Sequence, residues 1–402
     1  NLPFNFKIKS HYYLIYNHYW MEYRQLALEY KPECDLSSGF PDFLAFPDHL
    51  KKYVAEVTND KDLDHVLYQY TRGYGHPRLV NAISKLYSKL VGRHIQPMSE
   101  ILVTIGGCEA LYCAINGHVG PGDEVIIIEP FFDCYESMTI CAGGTPVFVP
   151  LRNGFSLRTL DWVLDPDELT RELHLIARLC KKYNVICISD EVYEWLVYKP
   201  ARHIRMATLP GMWERTITIG SAGKTFSATG LKLGWAFSPA KLMKNLFIAH
   251  QNSVRCGVTL IQEVTARCLE HEATLLGTSD SYLENLSTVL QPKRDYFCRV
   301  LADAGFNPSI PEGGYFVFSK WSNLAHKVNL SSEKDPYKDF KFTKWMTKNM
   351  KLHGIPVSCF YREQNRSLGE NYVRYCYFKK DETLAKAELI LTNWIGRSQT
   401  ET

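Results

Sequence analysis

Two lysines lie near each other in a run of small and hydroxylated residues. Lys224 belongs to the run Ser-Ala-Gly-Lys that begins at Ser221, and Lys232 follows eight residues later. Most lysines are solvated surface charges, but the flanks here contain Gly, Ala, Ser and aromatic residues instead of Glu and Lys. A lysine held in a pocket has a lowered pKa and a nucleophilic amine, which suits a Schiff base with an aldehyde cofactor. Ser221 and Lys232 are candidates to hold an anionic group beside it.

A pair of glycines, Gly106 and Gly107, follows a short apolar stretch and precedes a stretch with helical character. Bare backbone amides at a helix N-terminus bind phosphate, because the helix dipole favours negative charge there. A plain tight turn would explain one Gly-Gly pair at least as well. With Ser221 and Lys232 as partners, we favour the phosphate cradle.

Two charged residues stand in apolar surroundings. Asp190 ends the apolar stretch Val185 to Asp190, where an isolated aspartate is more often a helix cap. Arg374 lies inside the apolar stretch Tyr372 to Phe378. A buried, unpaired guanidinium is costly, so Arg374 requires either an internal acid or an anionic substrate. Arginine is well suited to bidentate capture of a carboxylate.

The elements that must position these residues follow from an alternation that begins at residue 101. Apolar stretches at 101–105, 124–129, 145–150, 185–190 and 215–220 alternate with helical patterns. This alternation predicts an α/β fold, with a mostly parallel sheet covered by helices and a ligand site at the carboxyl ends of the strands. The continuous apolar stretch 124–129 predicts a fully buried strand, and 231–237 predicts a strand that contains Lys232. After residue 306, short strands among helices predict a second, smaller α+β unit.

The composition excludes several classes of protein. The 402 residues are 46% hydrophobic and 22% charged, and the net charge of +3 comes without a basic block. Nucleic-acid binding is therefore not indicated, and no apolar run approaches the length of a membrane span. Twelve cysteines without a C-x-x-C pair indicate reduced thiols in a reducing compartment. We expect a cytoplasmic protein; a mitochondrial location stays open, since the chain begins at Asn1 and a targeting peptide could have been trimmed.

A more specific signal comes from the particular residues of the run that contains Lys224. The stretch Gly220 to Gly230, with Leu209 to Arg215 upstream, resembles the kynurenine aminotransferases, also called glutamine transaminase K or cysteine-conjugate β-lyase. These are fold type I enzymes that depend on pyridoxal 5′-phosphate, and the resemblance extends from about Trp20 to Trp394. It implies an N-terminal arm with part of the small domain at 1–44, a large cofactor domain at 45–300 and a small domain at 301–402.

The resemblance assigns roles around the cofactor ring. Lys224 would attach the cofactor covalently, and the carboxylate of Asp190 would pair with the pyridine nitrogen and keep it protonated. Tyr193, in the run Ser-Asp-Glu-Val-Tyr, would donate a hydrogen bond to the 3′-oxygen. Phe132 would stack on the ring.

The resemblance also identifies the residues at the cofactor phosphate. Gly106, Gly107 and Cys108 would form the cradle, with Ser221 and Lys232 as side-chain partners. Some relatives carry an aromatic residue at the position of Cys108, so this residue is a departure from the family pattern.

Residues on the substrate side and from a second subunit are likewise assigned by resemblance. Arg374 would bind the substrate α-carboxylate, and Gly39 and Trp20 would line the substrate side. Tyr70 would reach the phosphate of a neighbouring subunit, which implies a homodimer with shared active sites. Arg255 stands where relatives tend to carry an aromatic residue from the partner, and either favours an acidic side chain or is simply solvated.

One departure affects a core element. Relatives carry a strand and an Asn-Pro-x-Gly turn, whose Asn also bonds the 3′-oxygen, before the helix that starts near Arg171. Here Asp165-Pro166 predicts one helix start and Thr170 another. Two helix starts so close together predict that Leu169-Thr170 joins two segments that are separated in relatives. We predict that on the order of 20 residues are missing at this join, enough for a strand, a turn and a loop.

The combined prediction is an aminotransferase that moves the amino group of a kynurenine- or glutamine-like L-amino acid to a 2-oxo acid by a ping-pong mechanism. Two alternatives stay open on sequence grounds. The same site could act as a cysteine-S-conjugate β-lyase, which expels a β-substituent. The chain could also be a degenerate, non-catalytic homologue that lacks the Asn-Pro-x-Gly segment.

Overall fold

A computed structural model describes residues 18–151 and 166–400, and helices and strands alternate through most of that length. The helices are α1 His18–Tyr30, α2 Asp48–Thr58, α3 Asp64–Leu67, α4 Pro77–Val91, α5 Gly106–His118, α6 Cys134–Cys141, α7 Pro166–Tyr183, α8 Ala222–Thr225, α9 Ala240–Ser253, α10 Thr259–Leu275, α11 Tyr282–Asp303, α12 Lys338–Trp345 and α13 Asp381–Thr400. The strands are β1 Cys34–Asp35, β2 Ile101–Thr104, β3 Glu124–Glu129, β4 Thr145–Pro150, β5 Cys187–Asp190, β6 Thr216–Ser221, β7 Gly234–Phe237, β8 Asn307–Ser309, β9 Phe316–Lys320, β10 Leu352–His353, β11 Ile355–Pro356 and β12 Tyr372–Cys376.

The central sheet has the strand order β2-β7-β6-β5. Strands β2, β6 and β5 run in one direction and β7 opposes them. Leu102 and Ile217 face a layer that includes α5 and α9, while Val103 and Trp235 face a layer that includes α4 and α10. The predicted α/β fold with a mostly parallel sheet is therefore confirmed, and the carboxyl ends of β2, β5 and β6 meet at one edge.

Strands β3 and β4 form a separate parallel pair, and among the described residues neither is hydrogen-bonded to the central sheet. The prediction that 124–129 is fully buried is wrong, because Ile126 is 65% exposed and Ile128 is 46% exposed. Strand β5 is likewise an edge strand, and Val185 and Ile186 just before it are exposed. Among the described residues, the outer edges of β3 and β5 therefore have no hydrogen-bonded neighbour.

A second sheet has the order β11-β12-β9-β8 and is antiparallel throughout. Beside it, β1 from the N-terminal part of the chain pairs with β10. We propose the division into 1–44, 45–300 and 301–402 on the strength of this pairing, since it places an N-terminal segment with the C-terminal unit. The helix α11 continues slightly past residue 300.

Three local predictions differ from the structure. Lys232 is not in a strand: it adopts a left-handed conformation with φ 48° between a 3₁₀ turn and β7. The helical stretch predicted to follow the glycine pair already begins at Gly106. Thr170 does not start a helix, since α7 runs without interruption from Pro166, and Asp165 lies outside the described residues.

The turn that carries the glycine pair is held against β7 by close backbone packing. A side chain at Gly234 would place its Cβ 2.5 Å from the carbonyl carbon of Gly106 and 2.5 Å from the nitrogen of Gly107. Gly106 itself has φ 78°, a conformation that favours glycine. None of the helices in the described part of the chain is both long and apolar enough to cross a membrane.

Candidate active site

A cavity of about 690 Å³ opens at the edge where β2, β5 and β6 end. Ten of the residues assigned from the sequence line it: Gly106, Gly107, Cys108, Phe132, Asp190, Tyr193, Ser221, Lys224, Lys232 and Arg374. The other lining residues are mainly apolar and include Phe316, Phe318 and Phe360. The fold therefore brings a lysine, an aspartate, an arginine and a glycine turn to one pocket, although they lie far apart in the sequence.

The amine of Lys224 lies inside this pocket on the short helix α8. Its Nζ donates to the hydroxyl of Tyr315 at 2.7 Å and approaches the carbonyl oxygen of Gly39 at 3.4 Å. Burial lowers the pKa of Lys224, and the positive charge of Arg374 lowers it further. A lowered pKa leaves a larger fraction of the amine neutral at any given pH, and the neutral amine is the form that acts as nucleophile and proton acceptor.

Tyr315 was not identified from the sequence, although it touches Lys224 directly. Its hydroxyl donates to the carbonyl oxygen of Gly39 at 2.8 Å and accepts from Tyr193 at 3.3 Å. It thereby links Lys224 to the loop that carries Gly39. The one sequence signal for Tyr315 is the glycine pair directly before it, at 313–314, which is typical of a tight turn.

We expect Tyr315→Phe to lower kcat about 2- to 10-fold with little change in KM, because one neutral hydrogen bond to the lysine amine is lost. Steady-state kinetics measure this split. A matched control is Tyr198→Phe, which removes a buried hydroxyl bonded to Gly314 and Tyr377 but not to Lys224. Equal losses of kcat in both variants would show that Tyr315 acts only through general stability.

Asp190 presents a carboxylate with one free oxygen. Its Oδ2 accepts from the Tyr135 hydroxyl at 2.7 Å, while its buried Oδ1 has no partner among the described residues. Burial raises the pKa of Asp190. A protonated ring nitrogen would donate a hydrogen bond to the unpaired oxygen. Its positive charge would also offset the cost of burying the negative charge of the carboxylate, so the site fits a pyridinium group. Tyr135, which holds the carboxylate in place, was also missed in the sequence, despite lying in the same run as Phe132.

The glycine turn leaves space for an anion. A Cβ added at Gly106 would come within 3.7 Å of the Lys232 Nζ, and one at Gly107 within 3.7 Å of the Ser221 side chain. Any residue larger than glycine would therefore fill the space between the turn and these two groups. Among the described residues no carboxylate pairs with Lys232. Backbone amides, a hydroxyl and an unpaired ammonium together fit a phosphate group.

Arg374 is 9% exposed and reaches the pocket from β12. One of its nitrogens donates to the Ser37 carbonyl oxygen at 3.2 Å, its Nε has no partner, and no acid within the described chain pairs with it. Its guanidinium packs on Phe316 and Phe360, with ring centroids 4.3 and 4.7 Å away. Of the two explanations open from the sequence, the internal acid is thus absent from the described residues.

The remaining assigned residues do not line the cavity. Gly39 contributes its carbonyl oxygen to Tyr315 and Lys224, and Trp20 packs beneath Arg374 at 5.3 Å. Tyr70 is 82% exposed, and Arg255 lies against its ring at 5.4 Å. A single chain thus leaves Tyr70 and Arg255 outside its own pocket.

Comparisons with known proteins identify the family. The model of the aminotransferase class I and II family matches residues 31–173 and 163–387. Human kynurenine--oxoglutarate transaminase 3 is 43% identical over 389 residues, covering 90% of this chain and 84% of that protein. Human kynurenine--oxoglutarate transaminase 1 is 41% identical over 391 residues, covering 90% and 92%.

A solved structure agrees with the fold. The crystal structure of Bna3p from Saccharomyces cerevisiae superposes with a TM-score of 0.84 at 27% identity, covering 96% of this chain and 98% of that one. The family model matches in two pieces that overlap at residues 163–173, which indicates that the family pattern is interrupted near the predicted join. Both sets of comparisons cover nearly the whole chain, so it belongs to the aminotransferase class I and II family and is an aminotransferase.

Proposed function

We propose that this aminotransferase takes a kynurenine- or glutamine-like L-amino acid as donor and a 2-oxo acid as acceptor. The observation that carries the proposal is Arg374, a guanidinium in the pocket that lacks an acid partner among the described residues. A substrate α-carboxylate would supply the missing anion. The names of the human relatives support the choice of kynurenine as donor and oxoglutarate as acceptor.

We also propose that the cofactor is pyridoxal 5′-phosphate, on which class I and II aminotransferases depend in general. Lys224 would hold it covalently, Gly106 and Gly107 with Ser221 and Lys232 would hold its phosphate, and Asp190 would hold its ring nitrogen. When bound, this group accepts the electron pair that a substrate releases at Cα. The unpartnered Oδ1 of Asp190 and the cradle that a Cβ at Gly106 or Gly107 would fill are what support this assignment.

The chain's own residues would then perform distinct tasks. Arg374 holds the carboxylate and thereby fixes the orientation of the substrate Cα. Lys224, with its lowered pKa, takes the proton from that carbon as a general base and returns it as a general acid. Tyr315, which accepts a hydrogen bond from Lys224 and another from Tyr193, would hold the lysine amine near the substrate, and the surrounding phenylalanines would keep water away from it.

The apolar lining points to an aromatic donor. Phe132, Phe316, Phe318 and Phe360 all line the cavity, and aromatic rings pack favourably against one another. We expect kcat/KM for kynurenine to exceed kcat/KM for alanine. Both are measured as the formation of glutamate from 2-oxoglutarate. Release of pyruvate from a cysteine conjugate, with no amino group transferred, would favour the β-lyase reaction instead.

Arg374→Ala is expected to lower kcat/KM for amino-acid donors while cofactor binding is retained. Loss of a charge-assisted hydrogen bond costs about 1.5–3 kcal/mol, or roughly 10- to 150-fold. Arg374→Lys should recover only part of this, because an ammonium cannot form the bidentate pair. The internal comparison is an amine that lacks a carboxylate. If both variants lose as much activity toward that amine as toward amino acids, Arg374 does not bind the carboxylate.

We further propose a homodimer with shared active sites. The support is that Tyr70 and Arg255 are exposed and lie outside their own pocket, together with the role that the family resemblance gives Tyr70. Sedimentation of the purified protein should show a dimer. Tyr70→Phe should weaken cofactor binding, and the dimer should remain intact. A fully active monomer would contradict this arrangement.

A further inference from the structure

A carboxyl–imidazole pair lies behind the turn that we assign to the cofactor phosphate. Glu109 occupies the first turn of α5, two residues after the glycine pair, and its side chain is 10% exposed. His250 lies near the end of α9 and is fully buried. The Oε1 of Glu109 and the Nδ1 of His250 are 2.6 Å apart. Neither residue lines the active-site cavity, so the pair has no part in the chemistry described above.

Each member of the pair also binds a backbone group. The second carboxyl oxygen of Glu109, Oε2, accepts at 2.6 Å from the backbone N–H of Ile105, directly before the glycine pair. The Nε2 of His250 is 2.8 Å from the carbonyl oxygen of Gly73. Gly73 belongs to the segment between α3 and α4 that carries Tyr70, here called the Tyr70 loop. A chain of three hydrogen bonds therefore joins the phosphate turn to the Tyr70 loop.

The oxygens that the imidazole ring faces determine how many protons the pair holds. A carbonyl oxygen can only accept, so the Nε2 of His250 carries a hydrogen and donates to Gly73. The hydrogen bond at Nδ1 requires one further proton, which either the ring or the carboxyl group carries. In both cases the pair has no net charge. The Cys113 thiol also donates to the Glu109 Oε1 at 3.5 Å, and the two buried groups are thus satisfied.

We propose that Glu109 and His250 are positioning residues that fix the phosphate turn to the Tyr70 loop and thereby strengthen binding of the cofactor phosphate. This inference rests on the proposed function, which assigns the turn to the phosphate and Tyr70 to the phosphate of a neighbouring subunit. A turn whose amides are held in place beforehand loses less conformational freedom when the phosphate binds. The neutrality of the pair also contributes, because an unpaired carboxylate in the first turn of α5 would repel the phosphate.

Two substitutions of His250 separate the two halves of this link. The amide of an asparagine side chain extends about as far as the Nδ1 of histidine, and the amide of a glutamine about as far as the Nε2. His250→Asn should therefore keep the hydrogen bond to Glu109 and lose the one to Gly73. His250→Gln should keep the hydrogen bond to Gly73 and leave Glu109 without its imidazole partner.

A conservative variant and a control complete the set. The amide of Glu109→Gln can accept from Ile105 and donate to the ring of His250, so it keeps the link that Glu109→Ala breaks. His353→Gln is the control. His353 is also a buried histidine, bonded to Thr347 at 2.8 Å, but it lies on β10, outside the central sheet.

The first measurement is the affinity of each variant for pyridoxal phosphate and for pyridoxal, which lacks the phosphate, from the absorbance of the bound cofactor. Glu109→Ala and His250→Gln should weaken binding of pyridoxal phosphate about ten-fold, as expected for one lost charged hydrogen bond or one unpaired charge. Their affinity for pyridoxal should not change. Glu109→Gln and His353→Gln should bind both compounds as the unsubstituted protein does.

The second measurement is hydrogen–deuterium exchange of the cofactor-free protein, which reports on the link without any ligand. His250→Asn should speed exchange in the Tyr70 loop alone, and Glu109→Ala should speed it in both the loop and the phosphate turn. Tyr70→Phe should cost less affinity for pyridoxal phosphate in His250→Asn than in the unsubstituted protein, because that variant has already released the loop.

The outcomes separate this inference from the proposed function. Equal losses of affinity for pyridoxal phosphate and pyridoxal, an equal loss in His353→Gln, or faster exchange throughout the chain would overturn the inference, because each indicates general destabilisation. Unchanged exchange in the Tyr70 loop of Glu109→Ala would overturn it as well. If the unsubstituted protein fails to bind pyridoxal phosphate, the proposed function is wrong, and exchange in the cofactor-free protein still decides whether the link exists.

Discussion

Lys224→Ala is expected to abolish covalent attachment of the cofactor and to reduce transamination by at least about 10²–10⁴-fold, the usual contribution of a positioned general acid–base group. The physical reason is that the amine of Lys224 lies inside the pocket, where burial lowers its pKa and its Nζ contacts Tyr315 and Gly39. Purified wild-type protein should be yellow with cofactor. After borohydride reduction, peptide mapping should locate the cofactor on the peptide that contains Lys224.

The pocket offers a matched control in its second lysine. Lys232 lines the same cavity but lies beside the glycine turn, where we assign it to the phosphate. Lys232→Ala should therefore weaken cofactor affinity and still permit fixation on Lys224. Fixation on Lys232 in the wild-type protein, or retained activity in Lys224→Ala, would show that the two roles have been exchanged.

The rate of cofactor attachment should also depend on pH in a defined direction. The neutral amine is the nucleophile, so the rate rises with pH and levels off above the pKa of Lys224. Because burial lowers that pKa from 10.5, the plateau should begin at a lower pH than for an ordinary lysine. Stopped-flow absorbance on the cofactor-free protein measures this profile. A rate that still rises past pH 10.5 would contradict a buried, neutral amine.

The natural protein is expected to carry on the order of 20 further residues between Leu169 and Thr170, enough for a strand, a turn and a return loop. In the described structure, β5 is an edge strand and β3 pairs only with β4. One added strand between β5 and β3 would join the two sheets and satisfy both edges. The interruption of the family model at residues 163–173 falls at the same place.

The expected effect on stability is large. Strand β3 exposes Ile126 and Ile128, and burying an isoleucine fully contributes about 1.5–3 kcal/mol. A chain with an added apolar strand and an Asn-Pro-x-Gly turn should therefore melt at a clearly higher temperature than the 402-residue chain. A Gly/Ser insertion of equal length at Leu169-Thr170 is the control, and it should not raise the melting temperature.

Intact-mass measurement of the natural protein decides the question directly. A mass that matches the 402 residues, found in a stable and active dimer, would show that the segment is not needed. The added segment would also contain the Asn of the Asn-Pro-x-Gly turn. By resemblance to the family, this Asn would donate a second hydrogen bond to the cofactor's 3′-oxygen. The shorter chain would have only Tyr193 for that contact, so we expect it to be slower as well as less stable.

The sequence by itself determined the fold class and most of the pocket. Alternating apolar and helical stretches predicted the α/β fold, because strands of a parallel sheet are recognisable in the sequence as short apolar runs between helices. Lys224 and Arg374 could be chosen because each has a residue type that its local surroundings leave unexplained, whereas the glycine pair was chosen together with Ser221 and Lys232, and Asp190 through the family resemblance. All of them do line one cavity.

The tertiary structure alone decided which groups complete that site. Tyr315 bonds Lys224 from 91 residues away and Tyr135 bonds Asp190 from 55 residues away, and a tyrosine in an apolar run looks like core in either place. The left-handed conformation of Lys232 and the exposed face of β3 were equally invisible, since both depend on neighbours rather than on local pattern. Periodicity predicts which residues tend to be buried, but only the folded chain determines what, if anything, covers them.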